Sequence, residues 1–321
     1  MRQAGRYLPE YRAMRERYSF LELARNPEAA AEVTLQPIAR LGVDAAILFA
    51  DILLPLEPLG VGLEFVAGDG PRIARRIEGA ADVDGLREVD VESDLGFVAE
   101  SIAATVRALD GRVPLIGLAG APFTVASYLV EGGPSRDYLH TKRLMYEAPA
   151  AWHRLMDVLV DATAAYLNGQ IAAGAQAVQL FDSWVGVLAP EDYQTFVLPH
   201  TRALIRALTP GIPVIHFGTG TASLLPSMRA AGGDVIGLDW RVDLDAGWTA
   251  VGHDVAVQGN LAPVVLLSKP AYIRQRVKDI LERAGGRPGH IFNLGHGILP
   301  QTPVEHARAL IEMVHELSDR R

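Results

Sequence analysis

Short apolar segments alternate with longer segments of helical periodicity along most of this chain. The apolar segments predict seven strands, at Val43–Phe49, Val113–Ala119, Ala177–Phe181, Pro213–Phe217, Val235–Leu238, Val255–Gln258 and Ile291–Leu294. The helical periodicity predicts helices over Pro27–Leu41, Asp94–Leu109, Pro149–Ala173, Glu191–Leu208, Ala271–Ala284 and Pro303–Leu317. A strand followed by a helix, repeated along the chain, is typical of parallel α/β architecture.

This repeated pattern fits both an eight-stranded parallel barrel and an open, doubly wound sheet. We favour the (β/α)8 or TIM barrel, because eight β/α units fit 321 residues better than five or six. No Ser- or Pro-rich linker divides the chain, so residues 1–321 are predicted to form a single barrel domain. The pattern supplies seven of the eight strands, and we therefore expect the first barrel strand to precede Met1.

Composition and charge narrow the possible partners. A chain with 49% hydrophobic and 21% charged residues buries a large core without needing a metal or a disulfide. A net charge of -8 argues against binding to nucleic acid or to an anionic membrane surface. No apolar run is long enough to span a membrane and no signal peptide is evident, so we expect a cytoplasmic protein. The absence of cysteine excludes thiolate nucleophiles and zinc sites built on thiolates.

Polar side chains lie at or near the ends of several predicted strands. They are Asp51, Asp182 with Ser183, His216, Asp239, Asn260, and Asn293 with His296. The carboxyl ends of the strands form the active-site face of a (β/α)8 barrel. We therefore expect these side chains to converge on one pocket.

The opening run Met1–Arg12, with the sequence MRQAGRYLPEYR, reads as a glycine-containing loop that carries Arg2 and Arg6. A guanidinium group pairs with a carboxylate through two parallel hydrogen bonds, so two arginines on one loop form a clamp for an anionic ligand. The alternative is a solvated cluster of charges near the chain terminus.

Five motifs in order resemble those of the uroporphyrinogen decarboxylases. They are Met1–Arg12, Phe49–Leu53 (FADIL), Gly120–Tyr128 (GAPFTVASY) with Val130–Gly133 (VEGG), Leu180–Gly186 (LFDSWVG) and Asn293–Gly297 (NLGHG). The resemblance covers essentially the whole chain. It implies a (β/α)8 barrel that forms a homodimer with facing clefts and uses no metal or organic cofactor. It also implies an N-terminal segment, ending in the first strand, that this sequence lacks.

The resemblance further implies roles for individual residues. Asp51 would accept hydrogen bonds from the four pyrrole NH groups of the substrate and act as a catalytic residue. The run formed by Arg2, Gln3, Ala4, Gly5 and Arg6 would bind the acetate and propionate groups, and Arg15 would reach the same rim. Arg2 is also a candidate proton donor. Its guanidinium is a weak acid, however, and a water or carboxylic acid held by arginine is an equal contender.

The chemistry of the reaction gives Asp51 a role independent of the resemblance. Loss of CO2 from a ring acetate leaves a carbanion, and a pyrrole protonated on carbon takes up those electrons without a cofactor. A carboxylate fixed in a water-poor pocket stabilises the resulting positive charge. The alternative is that Asp51 caps a following helix, although Pro55 and Pro58 make a long helix there unfavourable.

Three further residues are expected at the site, each with a structural alternative. Tyr128 is placed on a loop after the Val113 strand, where its phenol donates to a carboxylate or to Asp51, or else packs at the barrel rim. Ser183 lacks the Gly-x-Ser-x-Gly elbow of hydrolases and is expected to bind a propionate or to cap a strand end. His296, between two glycines, is expected to hold a substrate carboxylate rather than to serve structure alone.

Two other functions remain open at this stage. Methyltransferases of a similar barrel activate a thiol on zinc held by His and Cys, and a chain without cysteine fits them poorly. A tetrapyrrole-binding protein without turnover would keep the arginine clamp, and the sequence is compatible with it. Absorbance changes without release of CO2 would distinguish such a binder from the decarboxylase.

Overall fold

The computed structural model describes residues 3–66 and 70–318. Its strands are β1 (Ala46–Ile47), β2 (Leu63–Val66), β3 (Gly70–Ile73), β4 (Leu115–Gly120), β5 (Ala177–Asp182), β6 (Val214–Gly218), β7 (Val235–Gly237), β8 (Ala256–Leu261) and β9 (His290–Leu294). Its helices are α1 (Pro9–Arg17), α2 (Phe20–Arg25), α3 (Pro27–Leu41), α4 (Ala80–Asp84), α5 (Val91–Leu109), α6 (Pro122–Glu131), α7 (Leu139–Glu147), α8 (Pro149–Ala172), α9 (Pro190–Phe196), α10 (Leu198–Ala207), α11 (Leu225–Ala231), α12 (Leu244–Val251), α13 (Pro270–Ala284) and α14 (Val304–Ser318).

The main sheet has seven strands in the order β1-β4-β5-β6-β7-β8-β9, and every neighbouring pair is parallel. All seven strands predicted from the apolar segments are therefore present, although β1 is only two residues long. The parallel α/β class is confirmed. The described residues contribute seven strands to this sheet rather than eight, and the order of the strands is that of consecutive β/α units.

The sheet curls so that its two edge strands, β1 and β9, border one cavity of about 480 Å³. This cavity, which we call the edge cavity, is lined by residues of both strands together with the apolar side chains of Leu41 on α3 and Leu310 on α14. Its wall is largely apolar, with His315 beside Asp44 at 3.0 Å among the polar exceptions.

The helices cover the outer side of the sheet, and their ends follow from local sequence. Asn26 caps α3 by accepting a hydrogen bond from the backbone of Ala29 at 3.0 Å, and Gly42 ends that helix with a φ of 72°. The single helix predicted over residues 191–208 is wrong in one respect, because it divides at Val197 into α9 and α10. Pro199, in the first turn of α10, is tolerated there because its missing N–H is not needed.

The antiparallel hairpin of β2 and β3 was not predicted from the sequence. It lies outside the main sheet. Hydrogen bonds from the N–H of Ile73 to the Gly132 carbonyl and from the N–H of Ile77 to the Leu129 carbonyl attach the end of β3 and the segment after it to the C-terminal end of α6. The loop predicted over the opening run is likewise only partly correct, since α1 begins at Pro9. No helix within residues 3–66 and 70–318 is long and apolar enough to cross a membrane.

Candidate active site

A second cavity of about 480 Å³ lies at the carboxyl ends of the strands, and we call it the site cavity. Small-molecule sites commonly have volumes of roughly 300–1,000 Å³. Segments distant in the sequence meet here, and the lining includes Gln3, Ala4, Gly5, Arg6, Arg15, Asp51, Tyr128, Ser183 and His296. All the residues for which the sequence predicted a catalytic or substrate-binding role are therefore brought together, except Arg2, which lies outside the described residues.

The arginine loop, residues 3–8, is joined to the edge strand β1 by the side chain of Gln3. The Gln3 carboxamide donates to the carbonyl of Ala45 at 2.7 Å and accepts from the N–H of Ile47 at 3.0 Å. The Tyr7 hydroxyl donates to the Gln3 carbonyl at 2.6 Å. The Gln3 amide is thus committed to the strand, and its contribution at the cavity is to hold the loop in place.

Arg6 is exposed at the mouth of the site cavity. Its carbonyl accepts a hydrogen bond from Nη1 of Arg12 at 2.8 Å, which fixes the backbone. No ion pair joins the Arg6 guanidinium to an acidic side chain in the described part of the chain. Arg15 lines the same cavity, with its guanidinium carbon 5.6 Å from the ring centre of Phe20. The side chains of Arg6 and Arg15 therefore both line the site cavity.

Asp51 lies four residues beyond the end of β1 and is half-buried in the cavity wall. Its Oδ1 accepts a hydrogen bond from the N–H of Leu53 at 2.9 Å, just before a short 3-10 turn. The capping alternative is thus partly realised, although no long helix follows. The Phe49 N–H donates to Oγ1 of Thr34 at 2.9 Å, which ties this segment to α3.

Tyr128 lies within α6, so the prediction that it belongs to a loop is wrong. Pro122 begins that helix directly after β4, and six residues on the Tyr128 side chain reaches the cavity wall. Its ring stacks on that of Trp184, with the ring centres 3.8 Å apart and an angle of 29° between the planes. Ser183, which precedes Trp184 after β5, lines the same side of the cavity.

His296 is exposed at the cavity and lies near Trp240, with ring centres 5.9 Å apart. Glycine is needed before it, because a Cβ on Gly295 would lie 2.5 Å from the backbone nitrogen of Trp240. The close backbone approach that glycine permits is therefore found at Gly295, where the neighbour is the protein backbone of Trp240.

The cavity also has an aromatic and apolar wall that sequence reasoning missed. Its rings are those of Tyr11, Phe20, Phe49, Phe65, Phe181 and Phe217. Phe20 packs against Phe65 at 4.8 Å and against Phe49 at 5.6 Å between ring centres, which joins α2, the hairpin and β1. Apolar walls of this kind suit a flat heterocycle and strengthen the field of a nearby charge.

The prediction that all the strand-end polar groups converge on one pocket is wrong for five of them. Asp182, His216, Asp239 and Asn260 are buried and do not line the site cavity. Asn293 lines the edge cavity instead. His216 alternates with Phe217, which faces the cavity, so the histidine faces the helices. Burial lowers the His216 pKa to about 4.

Asp239 and Asn260 instead organise loops at this face. Asp239 accepts from Nη1 of Arg241 at 2.5 Å and from the N–H of Gly220 at 2.6 Å. Asn260 donates to the carbonyls of Asp239 and Val242 at 2.9 and 2.6 Å. No cluster of three or more His, Asp or Glu side chains suited to a metal ion occurs in the described ranges.

Comparisons with known proteins show which family this chain resembles. The family model described as uroporphyrinogen decarboxylase (URO-D) matches residues 1–317. The chain is 58% identical to a uroporphyrinogen decarboxylase of Carboxydothermus hydrogenoformans over 99% of this chain and 91% of the relative. It is 55% identical to a uroporphyrinogen decarboxylase of Sorangium cellulosum over 99% of this chain and 91% of that relative.

The similar solved structures are those of other enzymes, and at identities of 20% and 11% they indicate a shared fold only. A methyltransferase from Methanosarcina mazei has a TM-score of 0.80 at 20% identity, covering 95% of this chain and 90% of its own. A B12-independent methionine synthase from Shewanella sp. W3-18-1 has a TM-score of 0.59 at 11% identity, covering 92% and 88%. The family match and the full-length identities are the stronger finding, and this chain belongs to the uroporphyrinogen decarboxylase family.

Proposed function

We propose that this chain converts the four acetate side chains of uroporphyrinogen III to methyl groups, giving coproporphyrinogen III and CO2 in haem biosynthesis. One observation carries the proposal at the level of the site. The Asp51 carboxylate and the arginine loop border one apolar-walled cavity at the carboxyl ends of parallel strands. The identity of the substrate is inferred from membership of the family.

The reaction needs an acid and a stabilised cation, and we propose that it needs no metal or organic cofactor. Protonation of a pyrrole carbon makes the ring a cation, which accepts the electrons of the breaking bond to the carboxylate carbon. Asp51 lines the cavity in which this cation would form, and the phenylalanine rings of the cavity wall limit the screening of its charge by water. A second proton then replaces CO2 on the methylene carbon and completes the methyl group, and loss of the proton from the ring carbon restores the neutral pyrrole.

The substrate's peripheral carboxylates are proposed to bind at the arginine loop. Arg6 projects into the cavity without a competing ion pair in the described residues, and Arg15 lies on the same side. We propose that Arg2 joins this clamp and delivers the proton, either itself or through a water that it holds. Arg2→Ala is then expected to raise KM and lower kcat together, whereas unchanged substrate affinity would argue against the clamp.

The remaining predicted residues are proposed to orient the macrocycle. Tyr128 presents its hydroxyl to a substrate carboxylate or to Asp51, with its ring fixed on Trp184. Ser183 and His296 line other parts of the cavity and are assigned to propionate or acetate groups. Gln3, Ala4 and Gly5 are assigned to substrate binding through the backbone of their loop, since the Gln3 amide is occupied by β1.

We also propose that the fold is one (β/α)8 barrel domain, closed by an eighth parallel strand between β1 and β9. The edge cavity supports this, because residues of both edge strands line it together with apolar side chains of α3 and α14. Amide hydrogen exchange tests the closure. Slow exchange of edge-facing amides in β9 would support an additional paired strand, and exchange as fast as in a surface loop would contradict it.

The assembly and location are proposals as well. We propose a cytoplasmic homodimer whose clefts face each other and which binds neither nucleic acid nor membranes. Sedimentation of the purified protein at several concentrations tests the dimer. A single monomeric species throughout would refute it.

The first test of function is anaerobic incubation with chemically reduced uroporphyrinogen III, with no metal or cofactor added. Oxidation and chromatography then separate the porphyrins by their number of carboxylates. Stepwise loss of carboxylates down to coproporphyrin would establish the decarboxylase. A perturbed absorbance spectrum without CO2 release would instead indicate a tetrapyrrole-binding protein without turnover.

A further inference from the structure

Asp182 is a fully buried carboxylic acid that lies behind the site cavity rather than in it. It ends β5, and its neighbours Phe181 and Ser183 both line the cavity. Oδ1 of Asp182 accepts a hydrogen bond from Oγ1 of Thr124 at 2.8 Å. Oδ2 is buried and has no hydrogen-bond partner in the described residues. Such a group is costly to bury, so a role is expected of it.

The Thr124 hydroxyl connects Asp182 to the backbone of the cavity wall. Thr124 is fully buried in the first turn of α6. Its oxygen accepts a hydrogen bond from the N–H of Trp184 at 3.2 Å. A hydroxyl has one proton to donate, and donation to Asp182 turns the oxygen lone pairs toward Trp184. The carboxyl group therefore determines which way the hydroxyl is oriented.

The segment held in this way carries two of the assigned site residues. Ser183 lies between Asp182 and Trp184, and the Trp184 ring forms the platform on which Tyr128 stacks at 3.8 Å. The same turn is anchored on its other side, where the Thr219 hydroxyl donates to the Ser183 carbonyl. A shift of the Trp184 backbone would thus move Ser183 directly and Tyr128 through its stacked ring.

We propose that Asp182 and Thr124 are positioning residues of this site. The Asp182 carboxyl orients the Thr124 hydroxyl, which fixes the Trp184 backbone and, through it, the places of Ser183 and Tyr128. Neither group touches the substrate. The kinetic consequence rests on the proposed decarboxylase function, whereas the structural consequence does not.

Thr124→Val is the decisive variant, because it keeps the shape of the side chain and deletes the hydroxyl. We expect a roughly tenfold lower kcat/KM, since small displacements of orienting groups carry large kinetic costs. Thr124→Ser restores the hydroxyl and should return kcat/KM to within about threefold of the parent. Thr105→Val is the matched control, because the Thr105 hydroxyl is also fully buried and donates to the Ser101 carbonyl at 2.7 Å, on α5.

A second readout does not depend on turnover. Trp184→Phe removes the stacked tryptophan and identifies its contribution to the near-ultraviolet circular dichroism. Thr124→Val should lose much of that same band, whereas Thr105→Val should keep it. If Thr124→Val does not fold, Thr124→Ala is compared with Thr105→Ala in the same two measurements.

The outcomes separate the two proposals. Retention of both the band and kcat/KM in Thr124→Val would overturn the positioning role. An equal loss of activity in Thr105→Val would overturn it too, because the effect would then reflect general destabilisation. If the parent chain fails to decarboxylate uroporphyrinogen, the proposed function fails, and the dichroism comparison alone decides whether Thr124 positions Trp184.

Discussion

The two sides of the site cavity are built in different ways. The edge wall, formed by the arginine loop, β1 and Asp51, rests on a two-residue strand whose one partner among the described residues is β4. The inner wall, formed by Ser183, Trp184 and Tyr128, follows the six-residue strand β5, which pairs with β4 and β6. Backbone pairing therefore supports the inner wall on both sides.

At the edge wall, side-chain hydrogen bonds give the backbone the support that pairing with two neighbouring strands gives at the inner wall. Gln3 pairs with two backbone groups of the β1 segment, and Thr34 accepts the N–H of Phe49. The Asp51 carboxylate thus lies on the part of the described sheet with the least ladder support. We infer that substitutions at the edge wall act mainly on substrate binding and chemistry, whereas those at the inner wall also act on stability.

Asp51→Asn should give the largest effect of any substitution in the edge wall. The amide keeps the side-chain volume, and its oxygen still accepts from the N–H of Leu53, so the free energy of unfolding should change by less than about 1 kcal/mol. Loss of the negative charge removes the stabilisation of the pyrrole cation, and kcat should fall by roughly 10²–10³. Steady-state kinetics and urea unfolding measure the two quantities.

The matched control for this change is Asp90→Asn. Asp90 also accepts backbone N–H groups, those of Glu92 and Ser93, but at the start of α5 and away from the cavity. Its kcat should remain within about twofold of the parent, as expected for surface changes. Full turnover in Asp51→Asn would remove Asp51 from its proposed role.

Gln3→Ala tests whether a side chain substitutes for strand pairing at the edge wall. It deletes two hydrogen bonds of about 1 kcal/mol each, so the arginine loop should separate from β1 and KM should rise about tenfold. Gln176→Ala is the control, because the Gln176 side chain accepts the N–H of Leu115 at 3.0 Å, at the amino end of β4, and neither residue lines the site cavity. Equal KM values for the two variants would show that the Gln3 contact is not specific to substrate binding.

Arg6→Ala should have a smaller effect, which depends on salt. A chain of net charge -8 repels an anionic substrate at long range, so local arginines supply the attraction. We expect KM to rise about threefold to tenfold at low ionic strength and to become less sensitive to added salt. Arg206, an exposed arginine of α10, provides the control, and Arg206→Ala should keep the salt dependence of the parent.

The sequence predicted the strands better than it predicted the surroundings of the site. Buried parallel strands read as continuous apolar runs, and all seven were found. The hairpin of β2 and β3 was missed because strands of four residues offer too little alternation. Its Phe65 and Pro71 line the site cavity, so part of the binding surface could not be anticipated.

Residue type and position at a strand end were sufficient to predict that some residues line the site cavity, but they failed for others. Asp51, Ser183 and His296 reach the cavity as predicted. His216 does not, because alternation along β6 gives the cavity to Phe217. Asp182 does not either, because its carboxyl faces Thr124. The side of the sheet to which a side chain points depends on the register of its strand, and the pattern of residue types alone does not determine that register.

Asp182→Asn should give the smallest effect of these substitutions. It tests the stability of the inner wall, which the substitutions at the edge wall do not. Burial raises the Asp182 pKa from 3.8 to about 7, so the folded state binds this proton more tightly than the unfolded state. This contribution to the free energy of unfolding is fully present below about pH 4 and is lost as pH rises toward 7. The asparagine side chain of the variant is neutral at every pH in this range.

The variant should therefore gain stability relative to the parent as pH rises from 5 to 8, because only the parent places a charge in that buried position. Urea midpoints at several pH values measure the difference, and other titrating groups such as His216 cancel because both proteins contain them. A difference that does not change with pH would mean that Asp182 is already ionised at pH 5. The inner wall would then hold a buried carboxylate, and its rigidity would rest on the charge rather than on a neutral hydrogen bond to Thr124.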